Sequence, residues 1–254
     1  MTAKTYQYNV FNLKEKIQKL IEENADYLEF EDYKDVVLKS IAACLKGDTK
    51  QKTILSLQRE DIISCFDSVA KAFNFAINYF KNHLKIPTSG LFPYSVMLIP
   101  YVYFFYKLTP SAMPVLKPLQ EKQLLDYFWR CALTERYQSS SDTKLAEDIK
   151  LMDKCLNDQS YGEFAPVDIT VKKFINNGNF KMSRAYIKGL VCLLVANEPH
   201  SLYNNASIIF DSNWPVRTNC NNYHHFFPKK SNCIKSSNYS NDEVNNICNI
   251  VLCD

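Results

Sequence analysis

Apolar residues recur at every third or fourth position along most of the first 200 residues of the chain. The longest such series starts near Asp61 and continues through an aromatic stripe formed by Phe66, Val69, Phe73, Ile77 and Phe80. This spacing places the apolar side chains on one face of an α-helix. Because such a stripe is far more typical of a buried core than of a ligand-binding surface, the pattern predicts a helix inside the protein.

The same period predicts a helix in five further segments. Their apolar faces consist of Leu13, Ile17, Leu20 and Ile21; of Tyr33, Val37, Ile41 and Cys44; of Leu124, Phe128 and Leu133; of Leu145, Ile149, Met152 and Leu156; and of Tyr186, Leu190 and Leu193. The whole chain holds only 5 glycines. Few positions can therefore adopt positive φ at low cost, which disfavours a β-protein built on tight turns. The predicted fold class is mainly α.

The longest apolar run covers residues 91–106 and is interrupted by Pro93, Ser95 and Pro100. It is shorter than the roughly 18–20 residues that a membrane span needs. The run predicts a buried core helix with a proline kink.

The pattern changes after residue 200. Residues 204–254 are rich in Asn, Ser and Cys and lack a helical period, and two short β-like runs stand out at 223–227 and 247–253. We therefore predict a helical domain over residues 1–200 and a separate module over residues 201–254.

Candidate chemistry lies at the end of the first β-like run, where His224 and His225 are followed by Pro228. Hydrolysis of a phosphodiester needs a base that activates water and a cation beside the phosphate, and a neutral imidazole can act as the base or bind the cation. Neighbouring residues of a strand point to opposite faces, so both histidines serve one site only if the chain bends there. From the residues alone, two histidines hydrogen-bonded within the fold are the more common interpretation.

This arrangement resembles the HNH nuclease module of GmrSD-type restriction endonucleases. In that pattern a first strand carries an acidic residue or His, then His, two residues and a proline; a second strand carries an Asn. His224, His225, Pro228 and Asn249 match these positions. Residues 91–105, 128–150 and 183–202 also resemble, in the same order, the helical region that precedes the module in this family.

The resemblance implies a role for each matching residue. His224 would be a ligand of a divalent cation, for which Mg, Mn, Ni and Zn are all plausible. His225 would be the general base. Asn249 would bind backbone and hold the loop in which His225 lies. The implied function is metal-dependent cleavage of DNA, namely modified phage DNA, in a phage-defence system of restriction type.

Lysines surround the histidines and offer contacts to the phosphates of DNA: Lys229, Lys230 and Lys235. An ordinary solvated surface is the alternative interpretation. The net charge of +3 is too small to decide between DNA and another partner.

Arg136 and Tyr137 are expected to tie helices together rather than to contact DNA.

The family pattern also includes a closing helix with a further ligand, and we find no counterpart of it before Asp254. The expected fold is thus a helical domain followed by an incomplete ββα-metal module, inactive alone, with a ParB-like N-terminal domain in the complete protein. Without the helix, Ile250 and Leu252 are expected to be poorly buried. If residues of this chain complete the site, the best substitutes are Asp242, Glu243 or Asp254.

The cysteines, nine in all, show no regular spacing, and the first 18 residues contain no apolar signal segment. Free thiols in a cytoplasmic protein are therefore expected. Cys220, Cys233, Cys248 and Cys253 lie near the histidines, but no CxxC pair supports a structural zinc site.

Two other functional classes stay open. The chain could be a non-catalytic helical scaffold that binds DNA or regulates a partner, which strong DNA binding without cleavage would indicate. It could also be a purely structural helical protein in which the two histidines occur together by chance.

The change of pattern near residue 200 leads to a prediction for the protein in solution. Far-ultraviolet circular dichroism should be dominated by helix, because the helical period covers about four fifths of the chain. A spectrum dominated by strand would contradict the predicted fold class.

Overall fold

The computed structural model describes residues 11–28, 30–108, 112, 114–162, 164–208, 210 and 223–252. Its helices are α1 (Leu13–Glu23), α2 (Ala25–Leu28), α3 (Tyr33–Lys46), α4 (Gln51–Ser56), α5 (Arg59–Asn82), α6 (Leu98–Leu108), α7 (Pro118–Leu133), α8 (Ser141–Leu156), α9 (Val171–Asn177), α10 (Ala185–Ala196), α11 (Asn232–Lys235) and α12 (Asn241–Val244). Short 3-10 turns occupy Ser89–Leu91, Ser95–Met97 and Ile247–Asn249, and two strands are formed by Tyr223–His225 (β1) and Ile250–Leu252 (β2). The mainly α fold class is confirmed.

Helix α6 lies at the centre of the helical part. Its residues 98–105 are all buried, and it packs against α5, α3 and α8. A helix that is apolar on every side must be enclosed by others, so the predicted core helix is confirmed. Pro100 is the third residue of α6 and lies in its first turn, where a missing backbone N–H costs little, rather than at a kink in the interior.

In the described residues, no helix combines the length and apolar character needed to cross a bilayer.

Local sequence explains where several helices begin and end. The side chain of Asn12 accepts hydrogen bonds from the backbone N–H groups of Lys14 and Glu15, which caps the start of α1. Helix α3 ends at Gly47, whose φ of +66° is left-handed and favours glycine. Thr170 caps α9 in the same way as Asn12 caps α1, since its hydroxyl accepts from the N–H of Lys173.

The aromatic stripe of α5 is buried as predicted: Phe66, Val69, Phe73, Ile77 and Phe80. The ring of Phe80 lies 4.7 Å from Tyr101 and 5.8 Å from Phe128, measured between centroids, so α5, α6 and α7 meet at this point. The hydroxyl of Tyr101 donates to the carbonyl of Leu124 at 2.6 Å, which satisfies a polar group that burial would otherwise penalise.

A buried charge cluster ties α7, α8 and the turn between them together. Asp148 on α8 is fully buried, and its carboxylate accepts from Arg136 Nη2 at 2.6 Å and from Tyr127 Oη at 2.9 Å. The hydroxyl of Tyr137 donates to the same carboxylate. Burial, together with the negative charge of Asp148, raises the pKa of Tyr127 and of Tyr137, so both phenols stay protonated and donate. The expectation that Arg136 and Tyr137 tie helices together is confirmed.

Strands β1 and β2 are antiparallel and pair Tyr223 with Leu252, His224 with Val251, and His225 with Ile250. The expectation that Ile250 and Leu252 would be poorly buried is wrong: their exposed fractions are 5% and 6%. Both belong to the same hydrophobic cluster as the helices, so the helical part covers one face of the two strands. The cluster thus extends across the predicted domain boundary near residue 200.

The charge cluster yields a stability prediction. Arg136→Met leaves the carboxylate of Asp148 buried without its cation, and the free energy of unfolding should fall by about 3–5 kcal/mol. Lys19→Met is the matched control, because Lys19 pairs with Glu23 at 3.7 Å on the surface and both side chains are more than half exposed. That variant should change stability by less than about 1 kcal/mol. Urea unfolding followed by circular dichroism measures both, and equal losses would contradict the assigned role of the cluster.

Candidate active site

His224 and His225 lie side by side in β1, and the bend in the chain follows them at residues 226–227. The strand pleat therefore directs the two side chains to opposite faces of the strand pair. His224 is exposed, whereas His225 is half-buried. A bend that brings both imidazoles to one site is not present between them.

Asn249 uses its whole side chain to hold the loop that follows His225. Its Nδ2 donates to the carbonyls of Phe227 at 3.1 Å and Val244 at 2.8 Å, and its Oδ1 accepts from the N–H of Phe227 at 2.8 Å. Its backbone carbonyl accepts from the N–H of Phe226 at 2.9 Å. These are backbone contacts of the kind that the family resemblance implies for Asn249, while its part in catalysis stays a prediction.

The ring of His225 contacts a second asparagine, which sequence reasoning did not single out. His225 Nε2 lies 3.2 Å from Asn245 Oδ1. Asn245 Nδ2 in turn donates to the carbonyl of Phe180 at 3.1 Å, and the backbone carbonyl of Asn245 accepts from the N–H of Phe180 at 2.8 Å. His225 is thereby linked to the segment that follows α9.

Asn246 joins the strand pair to the end of α9. Its Nδ2 donates to the carbonyls of Phe174 at 3.2 Å and Ile175 at 3.1 Å, and its Oδ1 accepts from the N–H of Cys248 at 3.0 Å. The last carbonyls of a helix lack partners within the helix, so a buried amide is a suitable donor for them. We call the contacts that Asn245 and Asn246 make with residues 174–180 the asparagine joint.

Gly178 allows the joint to close. A Cβ at this position would lie 2.6 Å from both amide atoms of Asn246 and closer still to the carbonyl oxygen of Phe174. The φ of Gly178 is −78°, which any residue can adopt. Glycine is required here for close approach rather than for backbone freedom.

The three predicted DNA-contacting lysines, Lys229, Lys230 and Lys235, are all exposed. None of them forms an ion pair with another residue in the part of the chain that the structure describes. Their charges are therefore available to an anionic partner. All three lie in the segment between β1 and β2, which follows His225 in the chain and ends with Asn249.

The acidic substitutes predicted for a metal ligand are engaged elsewhere. Asp242 accepts from Asn179 Nδ2 at 2.6 Å. Glu243 forms a capping box with Ser240, and hydrogen bonds from the backbone and hydroxyl of Ser240 lower the pKa of Glu243. Asp254 lies outside the described residues.

The predicted divalent cation finds no complete donor set in the described part of the chain. No group of three His, Cys, Asp or Glu side chains is placed there to hold a metal ion. Of the four late cysteines, Cys233 and Cys248 carry exposed free thiols, and Cys220 and Cys253 lie outside the described residues. The exposed imidazole of His224 by itself does not fit the several ligands that a stable metal site needs.

An open cleft of about 500 Å³ lies beside the loop that Asn249 holds. Its lining includes Phe227, Ile234, Tyr239, Val244 and Asn249. A larger cleft of about 660 Å³ lies near Lys85 and His200 and contains none of the predicted site residues. The smaller cleft is the one adjacent to the candidate chemistry.

Comparison of the chain with protein-family models, with curated proteins and with solved structures finds no match.

The close approach at Gly178 can be tested by a single methyl group. Gly178→Ala forces Asn246 or the end of α9 to move, and the free energy of unfolding should fall by about 1–3 kcal/mol. Amide hydrogen exchange in residues 223–252 should become faster, because the strand pair loses its attachment. Urea unfolding and exchange measured by mass spectrometry report the two effects.

Asn176→Ala is the control for this experiment, because Asn176 is exposed near the same end of α9. It should leave both stability and exchange near the values of the unmodified protein. Similar behaviour of the two variants would show that the asparagine joint does not depend on close approach at Gly178.

Proposed function

We propose that this chain carries the base-bearing part of an HNH-type nuclease site and acts in a metal-dependent DNA endonuclease of a modification-dependent restriction system. The observation that supports this proposal most is the geometry around Asn249. Its side chain binds both the N–H and the carbonyl of Phe227, two residues after His225, where β1 ends. Fixed geometry of this kind is what a general base needs to meet its substrate.

The proposed base is His225, which would accept a proton from the water that attacks phosphorus. The bond between the water oxygen and phosphorus forms as the bond from phosphorus to the leaving sugar oxygen breaks, and that oxygen takes a proton from solvent. Two features of the geometry suit His225 to this role: its ring is half-buried and has a hydrogen-bonded neighbour. An imidazole whose orientation is fixed by a hydrogen bond loses less orientational freedom in the reaction than the imidazole of an unconstrained surface histidine.

The proposed substrate is DNA, in particular the modified phage DNA that the family resemblance implies. Lys229, Lys230 and Lys235 support an anionic substrate, because each is exposed and none is neutralised by an ion pair with the described residues. Lysine contacts phosphate as a point charge and gives no sequence selectivity. Each such contact should make binding depend on salt concentration.

A divalent cation, Mg, Mn, Ni or Zn, remains part of the proposal, with His224 as one ligand. Because His224 and His225 point to opposite faces of the strand pair, their joint action on one phosphate requires the chain to bend between them. The cation would stabilise the charge that develops on the phosphate oxygens. Because the described residues supply one of the several donors it needs, no catalytic step is assigned to it.

A non-catalytic DNA-binding or regulatory scaffold is the second candidate. The exposed lysines favour it as much as they favour a nuclease, since they require an anionic partner but no chemistry. The two functions differ in the expected effect of replacing His225. A nuclease would lose its cleavage activity, whereas a scaffold would keep its DNA binding.

The His225→Ala variant of the complete gene product tests the proposed base. Its rate of metal-dependent DNA cleavage should fall by about 100-fold to 10,000-fold, because general-base catalysis is lost, while DNA affinity stays near normal. Nicking of plasmid DNA with each of the four cations measures the rate, and a gel-shift assay measures the affinity.

His200→Ala serves as the matched control, because His200 lies outside the strand pair and its ring contacts the carbonyl of Asn205. It should cleave at the normal rate. Cleavage by His225→Ala at the normal rate would refute the assignment of the base. Tight DNA binding with no cleavage by the unmodified protein under any of the four cations would favour the scaffold.

A further inference from the structure

The orientation of the Asn245 amide is fixed by its contact with Phe180. A backbone carbonyl can only accept a hydrogen bond, so the amide atom 3.1 Å from the oxygen of Phe180 must be the nitrogen. The amide oxygen therefore faces Nε2 of His225 at 3.2 Å. Rotating the amide by 180° would place two acceptors together at Phe180 and remove a satisfied contact.

The amide oxygen in turn fixes the proton on the imidazole. Asn245 Oδ1 can only accept, so Nε2 of His225 must carry the hydrogen. A neutral imidazole has one protonated nitrogen and one that accepts. The accepting nitrogen of His225 is then Nδ1, which is the atom that can take a proton from water.

We propose that Asn245 is a positioning residue that holds His225 in the Nε2–H tautomer and makes Nδ1 its basic nitrogen. The catalytic meaning of this inference rests on the proposed function, in which His225 is the base. In that reaction the proton of the attacking water moves to Nδ1 and gives an imidazolium, whose Nε2–H continues to donate to Asn245 Oδ1. Asn249 and Asn245 thus act differently, since Asn249 binds the backbone of the loop and Asn245 binds the ring.

The control of the tautomer originates in the helical part of the protein. The backbone of Asn245 accepts from the N–H of Phe180 at 2.8 Å, so main chain and side chain of Asn245 both bind Phe180. Arg184 Nη1 donates to the carbonyl of Asn177 at 2.8 Å, which steadies the segment between α9 and α10. Phe180 therefore helps to determine which ring nitrogen of His225 carries the hydrogen, although it lies 45 positions earlier in the chain.

The tautomer can be measured in this chain without any nuclease assay. The chain is labelled with 15N, and long-range correlation spectra of its imidazole rings are recorded at about pH 9, where histidines are ordinarily neutral. The signals of His225 are assigned by their loss in His225→Gln. We expect a single tautomer with the hydrogen on Nε2. His224, exposed in the same strand, is the internal control and should show the averaged shifts of a solvated ring.

Variants of Asn245 separate a positioning role from a structural one. In Asn245→Ala the nitrogen shifts of His225 should move toward those of His224, because the acceptor is gone. Asn245→Asp loses the donor to Phe180 and places two acceptors together there, so it should be less stable. Its other carboxylate oxygen still accepts from Nε2–H, so the folded variant should retain the single tautomer. This second variant also covers the case in which Asn245→Ala fails to fold.

A hydrogen on Nδ1 of His225 in the unmodified chain, or a mixture equal to that of His224, would overturn the assignment to Asn245. Loss of the single tautomer in Asn245→Asp would overturn it as well. These outcomes are distinct from failure of the proposed function. If His225→Ala cleaves DNA normally while the spectra show a pure Nε2–H ring, Asn245 still sets the tautomer and only the base role is wrong.

Discussion

The amide groups of Asn245 and Asn246 hold the candidate site on the protein. Strands β1 and β2 have three residues each, and a pair of that size is marginal in water unless another element supports it. The support comes from the end of α9, whose last carbonyls need donors that the helix cannot supply. Asn246 provides these donors, Gly178 leaves room for it, and Asn245 extends the same contact to the ring of His225.

Two kinds of buried polar group stabilise this protein in different ways. Asp148 is charged and fully buried, so it needs Arg136 and two phenols, and removing the cation leaves an uncompensated charge. The asparagine joint is neutral. Its amides bear no charge to desolvate, and each hydrogen bond is worth about 0.5–1.5 kcal/mol. Loss of the cation in the helical core is therefore costly, whereas the strand pair is attached by several weaker contacts together with the burial of Ile250 and Leu252.

The two adjacent histidines are not equivalent. The pleat exposes His224 and turns His225 toward Asn245, so only His225 is held by a side chain of the joint. The fixed ring of His225 suits the proposed base, whereas a metal held by His224 would meet the same phosphate only if the chain bends between the two histidines. The three lysines lie in the segment between the two strands, and residues of the same segment, among them Phe227 and Ile234, line the cleft beside Asn249.

The sequence by itself determined the helical core. Burial of an apolar face imposes a period of 3.6 residues on the chain, so the sequence alone predicts the apolar faces of α1, α3, α5, α7, α8 and α10. It also marked His225 and Asn249, through a motif only 26 residues long. Gly178, Phe180, Asn245 and Asn246 could not be found in this way, because their partners lie up to 72 residues away in the chain. Hydrogen bonds between distant segments leave no period in a sequence. The burial of Ile250 and Leu252, and the position of the bend after rather than between the two histidines, were likewise decided only by the tertiary structure.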